Sequence, residues 1–165
     1  MYPSAAYQGT RDENIALLLQ QLQALIEDEP NPVANLANAS ALLAQFLDEI
    51  NWVGFYMAEG DELVLGPFQG LPACVRIPFG KGVCGTAAAS GQTVIVPDVH
   101  KFPGHIACDA ASQSEIVLPL IKDGRLLGVL DIDSPITNRF NETDRIELER
   151  FVQALVTYLN VSSSL

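Results

Sequence analysis

The segment SEIVLPLIKDGRLLGVLDIDS, residues 114–134, decides the fold that we predict for this chain. Two apolar runs rich in Val, Ile and Leu are separated by Lys122-Asp123-Gly124, a turn signal typical of a β-hairpin. We therefore expect two antiparallel strands, over about 114–122 and 125–133. The remaining elements are predicted outward from this hairpin.

Similar signals upstream predict four more strands, at about 51–58, 62–66, 74–78 and 93–96. Apolar residues recur at helical spacing from Ile15 to Ile26 and again from Val33 to Leu47. A short helix is expected around 83–90, and Asn141 is expected to cap a closing helix. Helices at both ends of a mainly antiparallel sheet predict an α+β fold, with the terminal helices packed on one face of the sheet.

The composition limits what the protein can bind. Of the 165 residues, 48% are hydrophobic and 18% are charged, which is enough to bury a sizeable core. Nine basic residues stand against twenty acidic ones, and the net charge of −11 repels nucleic acids and anionic membrane surfaces. Because the first 15 residues lack a secretory signal and no apolar run could span a membrane, we expect a cytoplasmic protein.

Three cysteines, Cys74, Cys84 and Cys108, are the candidates for redox chemistry. An odd number in a chain without an export signal favours free or catalytic thiols over a set of structural disulfides. Cys108 lies within residues 97–113, a connection long enough to be typical of a lid or a binding loop. We call this segment the Cys108 loop. Within it, His105 could lower the pKa of the thiol, or it could be an ordinary surface residue.

The predicted strand at 51–58 contains a gap. Trp52 and Tyr56 share one face of the strand, with Gly54 between them. The missing side chain leaves space for a small ligand, or it marks a loose core position or a β-bulge. The pattern alone does not distinguish these interpretations.

Three carboxyl groups occur in the apolar strands of the central hairpin. Asp131 and Asp133 project from one face of their strand, and Glu115 opens the neighbouring strand. Burying a carboxylate without a partner is costly, so these groups pair with a ligand's ammonium, stay protonated as acids, or lie at a strand end in water. Their clustering favours a functional site.

Residues 80–85, GKGVCG, match the dinucleotide-binding pattern G-x-G-x-x-G, with Asp98 about where a ribose-binding acid would stand. The following helix is too short for that fold, because Gly91 ends it within two turns. We interpret the motif as a tight backbone turn that positions Cys84. That thiol is either an inert core residue or part of a site.

Together these segments resemble the free methionine-(R)-sulfoxide reductases, which are built on a GAF-type domain. The resemblance runs from about Ala39 to Phe140 and includes all three cysteines. Its densest segments are NWVGFY (51–56), LGPFQG (65–70), ACVRI (73–77), GVCGT (82–86), GHIACDAAS (104–112), SEIVLP (114–119) and LDIDS (130–134). It implies a single GAF-like domain over residues 1–165.

The resemblance also implies a thiol-based reduction of free methionine-(R)-sulfoxide. Cys108 would be the catalytic thiol, Cys74 the main resolving thiol and Cys84 a secondary candidate. Attack on the sulfoxide would leave Cys108 as a sulfenic acid, which condenses with a second thiol to a disulfide. A thioredoxin-like donor would recycle that disulfide. The protein would act as a homodimer and would require no metal or organic cofactor.

The same resemblance assigns roles to the pocket. Trp52 and Tyr56 would face the methylsulfinyl end of the substrate. Glu115, Asp131 and Asp133 would bind the amine and polarise the sulfoxide, with Asp133 as the candidate proton donor.

Two other functions remain as alternatives. One is a non-catalytic GAF-type module that senses a small molecule. Residues 138–144 loosely resemble a stretch of cyclic-nucleotide-binding relatives, but they serve equally well to cap the closing helix. A sensor has no need of three thiols. The other alternative, a zinc-binding module, could in principle use His100, His105 and Cys108, but the chain lacks a Cys-x-x-Cys pair.

Overall fold

The computed structural model describes residues 7–160, which form four α-helices, six β-strands and a short 3₁₀ helix. The helices are α1 (Arg11–Ile26), α2 (Pro32–Phe46), α3 (Gly82–Ser90) and α4 (Glu142–Tyr158). The strands are β1 (Trp52–Glu59), β2 (Glu62–Gln69), β3 (Arg76–Pro78), β4 (Val94–Val96), β5 (Ser114–Lys122) and β6 (Arg125–Ser134). Within residues 7–160, no helix has both the length and the apolar character that crossing a membrane requires.

The strands form one sheet in the order β3-β2-β1-β6-β5-β4, and all neighbours are antiparallel. The predicted hairpin is the β5–β6 pair, and β6 also pairs with β1. Asp133 of β6 lies between Trp52 of β1 and Glu115 of β5. The antiparallel order confirms the predicted fold class and rules out a dinucleotide-binding βαβ unit at residues 80–85.

The helices divide between the two faces of the sheet. α1, α2 and α4 cover one face, where they pack on side chains such as Val53 and Phe55 of β1. The prediction that the terminal helices share one face is confirmed. α3 covers the other face and packs on Tyr56 and Val129. The alternation of a strand's side chains therefore sends one set into the helical core and the other towards α3.

The predicted helix caps at Asn31 and Asn141 are confirmed. The Asn31 side chain accepts hydrogen bonds at the start of α2, from the amides of Val33 and Ala34. At the start of α4, the Asn141 side chain accepts from the amide of Asp144, and the Asp144 carboxylate accepts from the amide of Asn141. Residues 138–144 thus include a helix cap.

Two strand boundaries differ from the prediction. β2 continues to Gln69 rather than ending near residue 66, because its last residues pair with Val53 and Gly54 of β1. β3 begins at Arg76 rather than at residue 74. Cys74 lies outside the ladder, where its sulfur is bonded to another cysteine and its carbonyl accepts a side-chain hydrogen bond.

Candidate active site

A cavity of about 40 Å³ lies between the sheet, α3 and the Cys108 loop. Of the predicted site residues, all but Cys74 line it: Trp52, Tyr56, Cys84, Cys108, Glu115, Asp131 and Asp133. These residues come from β1, α3, β5, β6 and the loop, so the fold brings together positions up to about eighty residues apart in the sequence.

Cys74 joins this site through a disulfide bond with Cys108. Their Cα atoms are 5.5 Å apart, although 34 positions separate them in the sequence. The bond ties the Cys108 loop to the segment before β3. The pairing implied by the family resemblance is therefore confirmed, and Cys84 is the remaining free thiol, buried at the start of α3.

Two aromatic rings, Trp52 and Tyr56, form one wall of the site, and a third, Phe68, stacks on that wall without lining the cavity. The ring centroids of Trp52 and Tyr56 are 5.9 Å apart, and Phe68 stacks on Trp52 with the ring centroids 5.1 Å apart. Gly54 is paired with Phe68, and a Cβ added to Gly54 would meet the Phe68 Cβ at 2.2 Å. Phe68 rather than a ligand therefore fills the gap in the sequence pattern. The β1–β2 register also shifts just after Gly54, which agrees with the bulge interpretation.

The polar ends of the two aromatics are anchored to the backbone. The Trp52 indole nitrogen donates to the Leu71 carbonyl at 3.1 Å, and the Tyr56 hydroxyl donates to the Cys74 carbonyl at 2.9 Å. Burial raises the pKa of Tyr56, so its hydroxyl stays protonated and keeps donating. The aromatic wall thereby fixes the segment that carries Cys74.

Glu115, Asp131 and Asp133 form what we call the carboxyl cluster. Glu115 and Asp131 are each only 6% exposed, and Asp133 is half-buried. The interpretation that the two aspartates lie in water at a strand end is therefore wrong for Asp131. None of the ion pairs found within residues 7–160 involves the cluster.

The electrostatics of the carboxyl cluster favour protonation. Burial raises the pKa of all three carboxyls. The charge of Asp131 further raises the pKa of Glu115 and of Asp133, and the charge of Asp109 adds to the shift at Asp133. A cationic ligand group would relieve this cost by pairing with the ionised form.

Cys84 is close to the carboxyl cluster. Its Sγ lies 3.9 Å from Oε1 of Glu115, and burial raises the pKa of its thiol. The glycine turn that precedes it has positive φ angles at Gly80 and Gly82, and a Cβ on Gly85 would lie 2.5 Å from the Pro78 carbonyl oxygen. The prediction of a tight turn that positions Cys84 is confirmed.

Asn51 attaches the Cys108 loop to the sheet. Its amide nitrogen donates to the Asp109 carboxylate at 2.9 Å and to the Ser112 hydroxyl at 3.2 Å. Sequence reasoning did not assign a role to Asn51, although it opens the NWVGFY segment. Its contact with the loop depends on how β1 and the loop meet in three dimensions, which no local pattern encodes.

His105 lines the cavity and is half-buried. Burial lowers the pKa of its imidazole, and the charge of His100 lowers it further. At neutral pH the ring is therefore uncharged, and it does not supply a permanent cation for the Cys108 thiolate. Because Cys108 is bonded to Cys74, the zinc set His100, His105 and Cys108 suggested by the sequence is not available in this state.

Comparison with known proteins agrees with this geometry. The GAF domain family model matches residues 31–162. Protein YtsP of Bacillus subtilis is 62% identical, covering 89% of this chain and 91% of that protein. The free methionine-R-sulfoxide reductase of Escherichia coli is 54% identical, covering 88% of each chain. The structure of fRMsr of Staphylococcus aureus in complex with substrate matches with a TM-score of 0.85 at 54% identity, covering 94% of this chain and 100% of that one.

The six-stranded antiparallel sheet, with helices on both faces and a cavity beneath α3, defines a GAF domain. Within the class of GAF domains, the Cys74–Cys108 pair and the buried carboxyls at the cavity point to a narrower family. The chain belongs to the free methionine-R-sulfoxide reductase family.

Proposed function

We propose that this protein reduces free methionine-(R)-sulfoxide to methionine, with Cys108 as the nucleophile. The observation that carries the proposal is the Cys74–Cys108 disulfide at a cavity that holds three carboxyl groups. The names of the Escherichia coli and yeast relatives state this activity, and the identity of 54% and 46% extends over most of the chain.

The reaction proceeds in three balanced steps. The Cys108 thiolate attacks the sulfoxide sulfur, the oxygen passes to the cysteine as a sulfenic acid, and methionine is released. The Cys74 thiol then displaces the oxygen as water, which leaves the disulfide. A dithiol donor exchanges with the disulfide, becomes oxidised itself, and returns both thiols. Asp133, whose pKa is raised by burial, supplies the proton that the departing oxygen needs.

The carboxyl cluster would recognise the free amino group of the substrate. Glu115 and Asp131 are buried and take part in none of the ion pairs found within residues 7–160, and a substrate ammonium would give them charge-assisted hydrogen bonds. The aromatic wall of Trp52 and Tyr56 would receive the methylsulfinyl group. A methionine sulfoxide inside a polypeptide has a neutral amide in place of the ammonium, so it would leave the carboxylates unpaired.

The test compares free L-methionine-(R)-sulfoxide with its (S)-epimer and with its N-acetyl, C-amidated derivative, using one reductant throughout. Each lost partner of a buried charge costs about 1–3 kcal/mol, so kcat/KM should fall at least about tenfold for the capped derivative. Comparable values for free and capped substrate would exclude amine recognition. Equal rates for the two epimers would exclude the stereochemical assignment.

The partners of the reaction form a second part of the proposal. A thioredoxin-like protein would supply the reducing dithiol, and the reaction would take place in the cytoplasm, where such donors keep thiols reduced. The protein would be a homodimer. The half-exposed Val33 of α2 and the small residues of that helix support this, and light scattering at working concentrations checks it.

The non-catalytic sensor is the alternative of another class. A buried cavity alone would suit a sensor equally well. The disulfide between two distant cysteines at that cavity favours an enzyme, because ligand sensing needs no thiol pair. Turnover of free methionine sulfoxide by the purified protein distinguishes the two.

A further inference from the structure

Cys84 has no part in the reaction as proposed through Cys74 and Cys108, yet its thiol faces two carboxyl groups. Cys84 Sγ, a carboxylate oxygen of Glu115 and a carboxylate oxygen of Asp131 all lie within 4.8 Å of one another. The three side chains come from α3, β5 and β6. We call them the thiol–carboxylate triad. All three are buried in the wall of the cavity.

A second observation indicates that one carboxyl oxygen of the triad lacks a partner. Asp131 is 6% exposed, and its Oδ1 accepts no hydrogen bond from any residue that the structure describes. An unsatisfied carboxylate oxygen at this depth costs about 1–3 kcal/mol or more. Its neighbours in the triad are a thiol and a second carboxyl, and none of the ion pairs found within residues 7–160 includes Asp131. A bound cation would satisfy the oxygen and offset the repulsion.

We propose that the thiol–carboxylate triad is a binding site for a single zinc ion. One thiolate and two carboxylates are ligands that zinc accepts, and a water molecule would complete a four-coordinate shell. The thiolate disfavours calcium and magnesium, which prefer oxygen ligands alone.

The size of the triad suits this ion. Zinc lies about 2.0–2.3 Å from its ligands, which puts tetrahedral ligand atoms roughly 3.3–3.7 Å apart. The Cys84 Sγ to Glu115 Oε1 distance is already 3.9 Å, and the largest separation in the triad is no more than 4.8 Å. Side-chain shifts of about 1 Å would therefore complete the site.

Zinc bound at the triad would inhibit the enzyme rather than take part in catalysis. The ion and the ammonium of the substrate would need Glu115 and Asp131 at the same time, so the two would compete. This competition rests on the proposed function, whereas binding of the ion does not.

The binding test uses the oxidised protein. With the Cys74–Cys108 disulfide closed, Cys84 is the one free thiol among the chain's three cysteines. Co²⁺ serves as a spectroscopic probe, because a thiolate ligand adds an intense charge-transfer absorption that water or carboxylate ligands do not produce. We expect that absorption to saturate at one ion per chain and to disappear when Zn²⁺ is added.

Matched variants identify the ligands. C84A should abolish the thiolate absorption, and D131N should weaken Zn²⁺ binding by at least about tenfold while leaving the fold intact by circular dichroism. D133N is the control, because Asp133 lines the same cavity but lies outside the triad. Its Zn²⁺ affinity should stay within about threefold of wild type. A Co²⁺ complex without thiolate absorption, or one unchanged in C84A, would overturn the proposal.

Inhibition is measured separately on the reduced enzyme, with a phosphine reductant. In the wild type, zinc should raise KM for free methionine sulfoxide and leave kcat unchanged. In C84A, zinc should have almost no effect on the rate. If zinc binds but does not raise KM, then zinc and the substrate ammonium do not compete for Glu115 and Asp131. The metal site itself would still be supported by that result. This result therefore separates a failure of the proposed function from a failure of the zinc site.

Discussion

At the scale of single residues, the proposed mechanism depends on the sulfur of Cys108 as the nucleophile. Serine has nearly the same shape, but its oxygen cannot accept the sulfoxide oxygen. We therefore expect Cys108→Ser to fold normally and to release no methionine in a single-turnover assay. Cys84→Ser, which changes the buried free thiol, is the control and should keep its first turnover. Release at the wild-type rate by Cys108→Ser would remove the assignment.

Asp133 lies between Trp52 and Glu115, and burial raises the pKa of its carboxyl. It therefore retains a proton at a pH where an exposed aspartate has lost it. Asp133→Asn keeps the shape but removes that proton, and it should slow the chemical step about 10²–10⁴-fold. Rapid quenching of single turnovers measures this step. A variant with normal chemistry and only a raised KM would make Asp133 a binding residue.

Residue types predicted most of the site, because carboxyls in apolar strands and cysteines beside glycines are unusual wherever they occur. The contacts between those residues could not be predicted in the same way. Phe68 stacks on Trp52 only because the β1–β2 register places it against Gly54. Likewise, the closeness of Cys84 to Glu115 requires α3 to pack on β5.

At the scale of elements, the Cys108 loop is positioned by Asn51 as well as by the disulfide. Asn51→Ala removes two side-chain hydrogen bonds, one of them to the Asp109 carboxylate. In the reduced enzyme the Cys74–Cys108 disulfide is also absent, so the Cys108 loop loses both of these attachments. We expect formation of the Cys74–Cys108 disulfide after stoichiometric oxidation to slow by about tenfold, the equivalent of one or two hydrogen bonds. Timed thiol labelling and mass spectrometry follow the reaction.

The control for Asn51→Ala is Gln92→Ala, because Gln92 is an exposed amide in the turn after α3. Its rate of disulfide formation should match that of the wild type. An unchanged rate in Asn51→Ala would show that the loop is held by other contacts.

The number and type of the helices and strands were predictable, because periodicity and capping residues act within each element. Their ends were less predictable. The last three residues of β2 form a strand because β1 lies beside them, and the 3₁₀ helix Val99–Lys101 forms inside the Cys108 loop. Neither feature leaves a periodic signal, since pairing partners and loop contacts are distant in sequence.

At the scale of the whole molecule, the carboxyl cluster links stability to pH. The folded-state pKa of Glu115, Asp131 and Asp133 is raised above the unfolded values of about 4. The folded protein therefore holds more protons than the unfolded chain once the pH exceeds about 4. This contribution is fully present below that pH and is lost as the pH rises through the folded-state pKa values.

We therefore expect the free energy of unfolding of the ligand-free protein to fall from pH 5 to pH 8. Glu115→Gln removes one of the titrating groups and should reduce that fall, whereas the exposed Glu59→Gln should leave it unchanged. Urea unfolding at both pH values measures the difference. Equal pH dependence in all three proteins would show that the cluster does not control it.

The sheet ends at β3 on one side and at β4 on the other, and each of these strands is only three residues long. β3 also presents a charged side chain and a proline, Arg76 and Pro78, which discourage another strand from pairing there. Copies of this protein are thus poorly suited to edge-to-edge growth of the kind that leads to amyloid. None of these edge features includes a cysteine, so we expect the same protection in the oxidised and the reduced protein.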